Sequence, residues 1–249
     1  MYIEFSKELT IAKKAALEAG NFLKKNKDNL NKTISSTDRD IKLQADIEAE
    51  KIIKDIIKKD SSFGILAEES GMSSKESHKN LWVVDPLDGT ANYSRNIPLC
   101  CVSIAMLSNA KPVLGVIYDF NSNELYEGSI NTSACLNGKE ISVSKIKKSQ
   151  EGILVTGLPN NTDYSDDAMT EMIKNFQNWR KVRMIGSAAL ASVYVASGKA
   201  DLYIENKSYL WDIAAGAAIV NAAGGEALIL NQNEKFQVDV RFSNSLVKF

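Results

Sequence analysis

Apolar residues recur at helical spacing in two stretches near the N-terminus, residues 9–23 and 47–57. Intervals of three or four residues place side chains on one face of an α-helix, so each stretch is predicted to form an amphipathic helix. The segment between them, residues 27–39, is polar and shows no periodicity. Such a segment is typical both of a mobile lid and of an ordinary connection.

The middle of the chain carries short apolar runs at residues 101–107, 113–118, 125–127 and 141–143. Runs of this length, separated by turn residues, predict an antiparallel meander. Beyond residue 152 the pattern alternates, with strand-like runs at 153–156, 182–185 and 202–205 and helix-like runs at 169–178, 186–198 and 212–223. This alternation predicts an α/β protein with mixed sheets and layered helices.

An apolar run ends at two carboxylates in the segment W-V-V-D-P-L-D-G-T-A-N-Y, residues 82–93. Asp85 and Asp88 stand three positions apart and can face one point. Pro86 fixes its φ and Gly89 tolerates dihedrals closed to other residues, which predicts a strand that turns sharply into a helix. Carboxylates bind hard cations and helix N-termini bind anions, so this turn indicates phosphoryl chemistry.

Two further acidic segments accompany this turn. Glu68 and Glu69 end a short apolar stretch, and Asp212 opens a helix of small residues. Asp is common in turns and at helix starts, so capping alone is the alternative explanation for Asp88 and Asp212. One shared site accounts for all three segments more simply than three separate caps.

Composition narrows the functional classes. The chain of 249 residues has 30 basic and 31 acidic residues and a formal charge of -1, which provides no general field for nucleic acid. No apolar stretch approaches the ~20 residues that span a bilayer and no signal-peptide pattern is present, so a cytoplasmic enzyme without a membrane partner is expected.

Three cysteines form no disulfide framework or metal motif. The single histidine, His78, lies in a polar stretch, is expected to face solvent, and excludes zinc sites built on several histidines.

The segments A-E-E-S, D-P-L-D-G-T and W-D-I-A-A-G, in this order and spacing, resemble the three signatures of the inositol monophosphatase family. The resemblance covers most of the chain and includes D-I-K-L-Q-A-D before the first signature. It implies a five-layered αβαβα sandwich of the inositol monophosphatase and fructose-1,6-bisphosphatase type. It further implies one catalytic domain, residues 1–249, with closely packed lobes at about 1–150 and 151–249, and a lid function for residues 27–39.

The resemblance also implies a magnesium site with two or three ions. Glu68, Asp85 and the main-chain carbonyl of Leu87 match the ligands of one ion. Asp85 bridges to a second ion, which Asp88 and Asp212 complete. Oxygen ligands of this kind suit Mg²⁺, and a metal-activated water would attack phosphorus in line without a covalent phosphoenzyme.

Thr90 matches the threonine that orients the attacking water, Asp46 matches the aspartate that pairs with it, and Glu68 completes the predicted catalytic set. An ordinary helix-start hydroxyl is the alternative for Thr90. The chain departs from the family pattern D-x-V-T-x-x-D, because Leu43 stands where a threonine is most often found. The surroundings of Asp46 and the occupancy of a third, loosely held ion therefore stay open.

The backbone amides of Gly89 and Thr90 are predicted to receive the phosphate. Glu205, seven residues before Asp212, matches a carboxylate that accepts hydrogen bonds from substrate hydroxyls. The matching wall of the pocket consists of Gly186, Ser187 and Ala188. Small residues there are equally explained by close helix packing.

The signatures indicate the reaction more clearly than the substrate. A small polyol or sugar phosphate is favoured, inositol monophosphate first, with fructose 1,6-bisphosphate and 3'-phosphoadenosine phosphate as alternatives. A second phosphate would need cations, for which Lys207 and Arg183 are candidates, although both also suit a solvated surface. The non-enzyme alternative is a regulatory binding partner with an idle metal site, against which the retention of every principal ligand argues. The resemblance implies lithium sensitivity and a homodimer, with the apolar middle segment as a candidate interface.

Overall fold

The computed structural model describes residues 5–37, 41–73, 79–158 and 162–248. Its helices are α1 (Ser6–Lys25), α2 (Lys27–Leu30), α3 (Gln44–Asp60), α4 (Thr90–Ser94), α5 (Asp166–Phe176), α6 (Ala188–Ala196) and α7 (Leu210–Ala222). Its strands are β1 (Thr33–Ser36), β2 (Ile41–Leu43), β3 (Gly64–Ala67), β4 (Gly71–Met72), β5 (Asn80–Asp88), β6 (Cys101–Ser108), β7 (Lys111–Asp119), β8 (Glu124–Ser129), β9 (Thr132–Leu136), β10 (Lys139–Glu140), β11 (Ile153–Thr156), β12 (Lys181–Met184), β13 (Leu202–Tyr209), β14 (Glu226–Leu230) and β15 (Gln237–Ser243). Within these ranges, no helix is both long and apolar enough to cross a membrane.

The two amphipathic helices predicted near the N-terminus are confirmed as α1 and α3. They pack against each other and against strands β5, β6 and β7, and their small and branched apolar residues form the core of this layer. Ile47 is an exception, because it is 38% exposed while Ile53 and Ile57 of the same helix are fully buried. Six residues separate Ile47 from Ile53, which turns its side chain by roughly 240° around the helix and away from the sheet.

The first large sheet has eight strands in the order β10-β9-β8-β7-β6-β5-β3-β4. Its neighbouring strands are antiparallel except β3 and β5, which run parallel. The predicted meander is confirmed for β6, β7 and β8, but the predicted strand at 141–143 is wrong. Asn137 and Gly138 adopt positive φ and turn β9 into β10, after which the chain leaves this sheet. Ile141 and Val143 bury apolar surface against the α6–α7 core without joining a strand.

The second large sheet has five strands in the order β12-β11-β13-β15-β14. Helices α6 and α7 contact strands of both large sheets and therefore lie between them. On the far face of the five-stranded sheet, Phe176 of α5 packs beside Leu154, Leu202 and Ile204. The layers are thus helix, sheet, helix, sheet and helix, which confirms the αβαβα sandwich. The predicted strands and helices of the second half are present, whereas β14 and β15 are additional.

The polar segment 27–39 contains secondary structure that its sequence does not indicate. Residues 27–30 form α2, and β1 pairs with β2 as a two-stranded antiparallel sheet. All four residues of β1 are exposed, so burial leaves no alternating pattern to detect. Strand β2 contacts α4, which places this pair beside the D-P-L-D-G-T turn. Residues 38–40 and His78 lie outside the described residues, and the lid function remains a prediction.

Strand β7 touches the backbone of α7 at Gly115. A Cβ atom on Gly115 would lie 2.1 Å from the carbonyl oxygen of Ala215. This oxygen is part of the backbone of α7, so no side-chain rotation can relieve the clash. We expect Gly115→Ala to lower the free energy of unfolding by about 3 kcal/mol, as overpacking of a rigid core does. Urea unfolding of the purified variant measures this loss.

The matched control is Gly138→Ala, at a turn with φ +75 and no heavy atom within 4 Å of the added Cβ. Its cost should be about 1 kcal/mol, from the left-handed conformation alone. A Gly115→Ala loss no larger than that of the control would contradict the backbone contact between β7 and α7.

Candidate active site

The D-P-L-D-G-T turn joins the end of β5 to the start of α4, as the sequence predicts. The Asp85 carboxylate accepts a hydrogen bond from the Leu87 amide at 2.9 Å, which ties the side chain to the turn. Gly89 adopts φ +88, and a Cβ atom there would lie 2.7 Å from the carbonyl oxygen of Leu99. Only glycine satisfies both conditions, so the presentation of Asp85 and Asp88 depends on Gly89.

Glu68 stands beside Asp85 because β3 and β5 run parallel. Ala67 pairs with Val84, and the Glu68 amide donates to the Val84 carbonyl at 3.1 Å, so a carboxylate follows each member of the last residue pair, Glu68 after Ala67 and Asp85 after Val84. Burial and the negative charges of neighbouring acids, Asp212 among them, raise the pKa of Glu68 and of Asp85 well above their ordinary values. The Glu68 side chain keeps exposed surface. Neighbouring negative charge is therefore better supported than burial as the cause of its raised pKa.

Asp88 binds the N-terminus of α6 and does not cap α4, the helix that follows it. The Ser187 hydroxyl donates to Asp88 Oδ2, and the amides of Ala188 and Ala189 lie 3.3 and 2.8 Å from the carboxylate oxygens. Burial raises the pKa of Asp88, and these donors oppose the shift. The residues expected as a substrate wall are thus brought to the site, where Ser187 and Ala188 bind Asp88 and Gly186 supplies a positive φ of 68°.

Asp212 is the third residue of α7. Its carboxylate accepts hydrogen bonds from the Tyr209 amide at 3.0 Å and the Ser208 hydroxyl at 3.1 Å, so the capping role is real. Its negative charge also contributes to the raised pKa of Glu68 and of Asp85, in addition to burial. Capping and membership of the acidic site are therefore compatible.

Strand β6 connects the start of α7 with the end of β5. Ser103 pairs with Asp85 across the two strands. The Ser103 hydroxyl lies 3.4 Å from the carbonyl oxygen of Trp211, the residue before Asp212. This contact brings a carboxylate from the late part of the chain to the turn that carries the early ones.

Asp46 is buried in the first turn of α3 and binds two groups. Its Oδ2 accepts from the Leu43 amide at 2.7 Å, and its Oδ1 accepts from the Thr90 hydroxyl at 2.9 Å. Burial raises the pKa of Asp46 to about 6, although these two hydrogen bonds favour the charged form. Thr90 Oγ1 also lies 3.0 Å from the Leu87 carbonyl oxygen. The structure therefore brings Thr90 and Asp46 together, and Leu43 contributes its amide where a threonine would add a hydroxyl.

Glu205 lies where β13 departs from regular pairing, since the register with β15 shifts between Glu205 and Ser208. Its carboxylate lies over Gly157, where an added Cβ would come within 2.1 Å of Oε2. Burial and the negative charges of the Asp212 and Asp88 carboxylates raise the pKa of Glu205 to about 8. The structure thus places Glu205 within electrostatic reach of two of the acids at the site.

The two candidate cations for a second phosphate differ in position. Lys207 and Glu205 line a cavity of ≈ 870 Å³ between α5 and the five-stranded sheet. Arg183 lies exposed on β12, and its Nη1 donates to the neighbouring Val182 carbonyl at 2.9 Å. Only Lys207, of these two, is near Glu205.

Two charged residues that the sequence analysis does not single out belong to the same region. Lys42 forms an ion pair with Glu69, and Glu50 accepts a hydrogen bond from the Glu69 amide at 2.9 Å. Glu50 is buried and follows Asp46 by four residues on α3. Two acids at this spacing share one helix face, which is the signal that would have revealed Glu50.

The donors of this region suit a hard cation. All the candidate ligand atoms are oxygens, and the raised pKa of Glu68 and of Asp85 reflects burial together with neighbouring negative charges that a cation would neutralise. Within the described ranges, no three acidic, histidine or cysteine side chains converge closely enough to hold an ion as they stand. Asp85, Asp88 and Asp212 instead accept hydrogen bonds from nearby amides and hydroxyls. Coordination would require these side chains to draw closer together, and each carboxylate keeps further lone pairs for an ion beside its hydrogen bonds.

Known proteins share this sequence and fold. "Nus factor SuhB" of Xylella fastidiosa is 38% identical over 221 residues, which cover 87% of this chain and 80% of that protein. "Inositol-1-monophosphatase" of Synechocystis is 37% identical over 194 residues, covering 75% of this chain and 66% of that protein. The solved inositol monophosphatase of Anabaena (Nostoc) superposes with a TM-score of 0.82 at 31% identity, over 96% of this chain and 91% of that one.

The sequence profile of the inositol monophosphatase family matches residues 5–246, nearly the whole chain. This match agrees with the αβαβα layers and with the three acidic segments that meet at the ends of β3 and β5 and at the start of α7. The protein is therefore a member of the inositol monophosphatase family.

Proposed function

We propose that this protein is a magnesium-dependent phosphomonoesterase. The observation that carries the proposal is that Glu68, Asp85, Asp88 and Asp212 come from separate segments to one region, where burial and neighbouring negative charges raise the pKa of Glu68 and of Asp85. Buried like charges cost free energy, which a bound cation would offset. Membership of a magnesium-dependent phosphatase family supports the same activity.

In this proposal Glu68, Asp85 and the Leu87 carbonyl would hold one Mg²⁺, and Asp85, Asp88 and Asp212 would hold a second. When bound, the two ions supply charge neutralisation for the phosphate and lower the pKa of an attacking water. The short contact of Asp85 with the Leu87 amide fixes the turn that would present both groups.

Thr90 and Asp46 would orient the water. The Thr90 hydroxyl donates to Asp46 at 2.9 Å, so its lone pairs are directed to accept a hydrogen bond from a third group. Asp46, with a pKa of about 6, can take up a proton through this hydroxyl near neutral pH. The amides of Gly89 and Thr90, at the start of α4, would bind the phosphate oxygens. Water would attack phosphorus in line while it gives a proton through Thr90 to Asp46, the bond between phosphorus and the ester oxygen would break, and the departing oxygen would take a proton from solvent water.

A small polyol phosphate, inositol monophosphate first, is the proposed substrate. Glu205 supports it, because its side chain lies within electrostatic reach of Asp212 and Asp88 and, once ionised, would accept hydrogen bonds from ring hydroxyls. Gly186, Ser187 and Ala188 would form the opposite wall. Fructose 1,6-bisphosphate and 3'-phosphoadenosine phosphate are the alternatives, and Lys207 is the cation that a second phosphate would contact.

The activity is tested with Asp85→Asn. An amide cannot neutralise two cations, so we expect Mg²⁺-dependent release of phosphate from inositol monophosphate to fall on the order of 1000-fold in kcat/KM. The assay compares a panel of phosphomonoesters with and without Mg²⁺, and adds millimolar lithium, which we expect to inhibit. Near-wild-type turnover of Asp85→Asn at limiting Mg²⁺ would reject the two-metal assignment.

The matched control is Asp119→Asn. Asp119 is also a buried aspartate at the end of a strand, and it accepts a hydrogen bond from the amide two residues later at 2.9 Å, as Asp85 does. It takes no part in the proposed metal site, so its substitution should leave the Mg²⁺ dependence unchanged. A loss equal to that of Asp85→Asn would show that strand-end stability, and not metal binding, governs activity.

Substrate recognition is tested with Glu205→Gln. At pH 9, above the pKa of about 8, wild-type Glu205 is ionised and should bind polyol hydroxyls more strongly than an amide does. We expect kcat/KM for inositol monophosphate to fall by a factor that corresponds to about 1 to 3 kcal/mol of lost transition-state stabilisation. The value for a simple aryl phosphate should change little. Equal losses on both substrates would assign Glu205 to the metal site or the fold.

A second candidate function is a regulatory binding role with an idle metal site. It is favoured by the relatives of Xylella fastidiosa and Vibrio cholerae, which are named "Nus factor SuhB" and are 38% and 36% identical to this chain. The same phosphatase panel separates the two functions. Absence of Mg²⁺-dependent phosphate release from every substrate would favour the regulatory role.

We further propose a homodimer, as the family resemblance implies. Strands β6 to β8 lie inside the eight-stranded sheet and are largely buried. Ile130 and Leu228 are exposed and line one cleft of ≈ 970 Å³, which is the candidate interface. Sedimentation at micromolar concentration should give twice the chain mass of 27.4 kDa. Ile130→Asp should shift the species towards the monomer, whereas Ile173→Asp, on equally exposed α5, should not. A wild-type species of 27.4 kDa alone would reject the dimer.

A further inference from the structure

Lys42 places a positive charge inside the acidic region next to the proposed metal site. Its ammonium pairs with Glu69, and the side chains of the two residues are 34% and 11% exposed. The hydrogen bond to Glu69, with the negative charges of Asp46 and Glu50, raises the pKa of Lys42 above its ordinary 10.5. Lys42 is therefore a permanent cation that faces three acids.

The acids of this region form two groups. The first contains the proposed ligands Glu68, Asp85, Asp88 and Asp212, and two divalent ions balance its four negative charges. The second group lies around the start of α3 and contains Asp46, Glu50 and Glu69. Lys42 pairs with Glu69, and Lys54 pairs with Glu50 at 3.3 Å, so two of these three charges are already balanced. The second group retains too little negative charge to hold a further divalent ion.

The donors around α3 lead to the same conclusion. Both carboxylate oxygens of Asp46 accept hydrogen bonds, from the Leu43 amide and from the Thr90 hydroxyl. Glu50 accepts from the Glu69 amide at 2.9 Å. Leu43, fully buried, provides no side-chain oxygen where the family pattern has a threonine, so a third, loosely held ion would depend on the charges of Glu69 and Glu50 and on water ligands. While Lys42 and Lys54 pair with those two acids, the residues do not fit such an ion.

We propose that the Lys42 ammonium takes the place of a third divalent cation, so that each active site of this protein binds two ions. Lys42 acts as a positioning residue, because it holds Glu69 beside Glu68 and compensates the acids of α3 without contacting the substrate. The inference rests on the proposed metal-dependent function, and it concerns the number of ions and not their identity.

The test counts bound Mn²⁺, a paramagnetic substitute for Mg²⁺, by electron paramagnetic resonance titration of the full-length chain. We expect two ions per wild-type chain and three for Lys42→Met, which keeps the apolar stem, removes the charge and adds no oxygen ligand. Lys42→Arg should restore the count of two. Lys42→Gln is a second neutral variant and should also bind three if Lys42→Met does not fold.

Lys13→Gln is the matched control. Lys13 pairs with Glu127 at 2.8 Å, and the side chains of this pair are 38% and 12% exposed, close to the values for Lys42 and Glu69. Loss of this ion pair, which includes none of the site acids, should leave the count at two. Thermal melting of each variant confirms that it is folded before the titration.

Three results would overturn the inference: three ions on the wild-type chain, two ions on folded Lys42→Met and Lys42→Gln, or a third ion on Lys13→Gln. The proposed function fails in a different way. In that case the wild-type chain binds no Mn²⁺, and neither Mn²⁺ nor Mg²⁺ supports phosphate release.

Discussion

Repulsion between carboxylates at the end of one parallel strand pair is the constraint around which this structure is organised. The eight-stranded sheet is otherwise antiparallel, and its single parallel pair among the described strands, β3 with β5, is what sets Glu68 beside Asp85. An antiparallel partner would have carried the residue after β3 to the opposite edge of the sheet. The crossover through this parallel pair thus creates a concentration of negative charge that the neighbouring elements must accommodate.

The N-termini of two helices stabilise much of this negative charge. Asp88 receives the first amides of α6, and Asp212 lies in the first turn of α7, where the helix dipole favours a negative charge. Both helices are packed between the sheets, and Gly216 of α7 approaches Ser192 of α6 so closely that a Cβ atom would lie 2.2 Å from the serine Cβ. The apolar packing of the central layer therefore fixes the positions of the helix ends that stabilise the acids.

The sequence predicts most of the elements because their burial is one-sided. Helices α1 and α3 and strands β6 to β8 leave clear apolar patterns, and the signatures around Asp85 and Asp212 locate the candidate site. Ile141 and Val143 mislead, because an apolar run can bury its side chains in a crossing segment without pairing as a strand. Strand β1 is fully exposed and leaves no apolar pattern. Strand β15 alternates, with Val238, Val240 and Phe242 buried, so the sequence carries an apolar pattern for this strand as well. The pairing of Lys42 with Glu69 depends on how β2 and β3 meet in space, which local sequence does not encode.

The central position of α7 also bears on how the chain acquires its active form. Asp46 and Asp212 are separated by most of the polypeptide, and α7 contributes contacts to both large sheets. A chain emerging from the ribosome carries Glu68, Asp85 and Asp88 long before the helix that completes the charge cluster and supports β7 at Gly115. Long-range contacts of this kind form late, because closing a large loop costs conformational entropy before the contacts are made. Binding of the proposed divalent ions would then mark the end of folding, and a ligand that binds the completed site alone would favour finished chains over truncated ones.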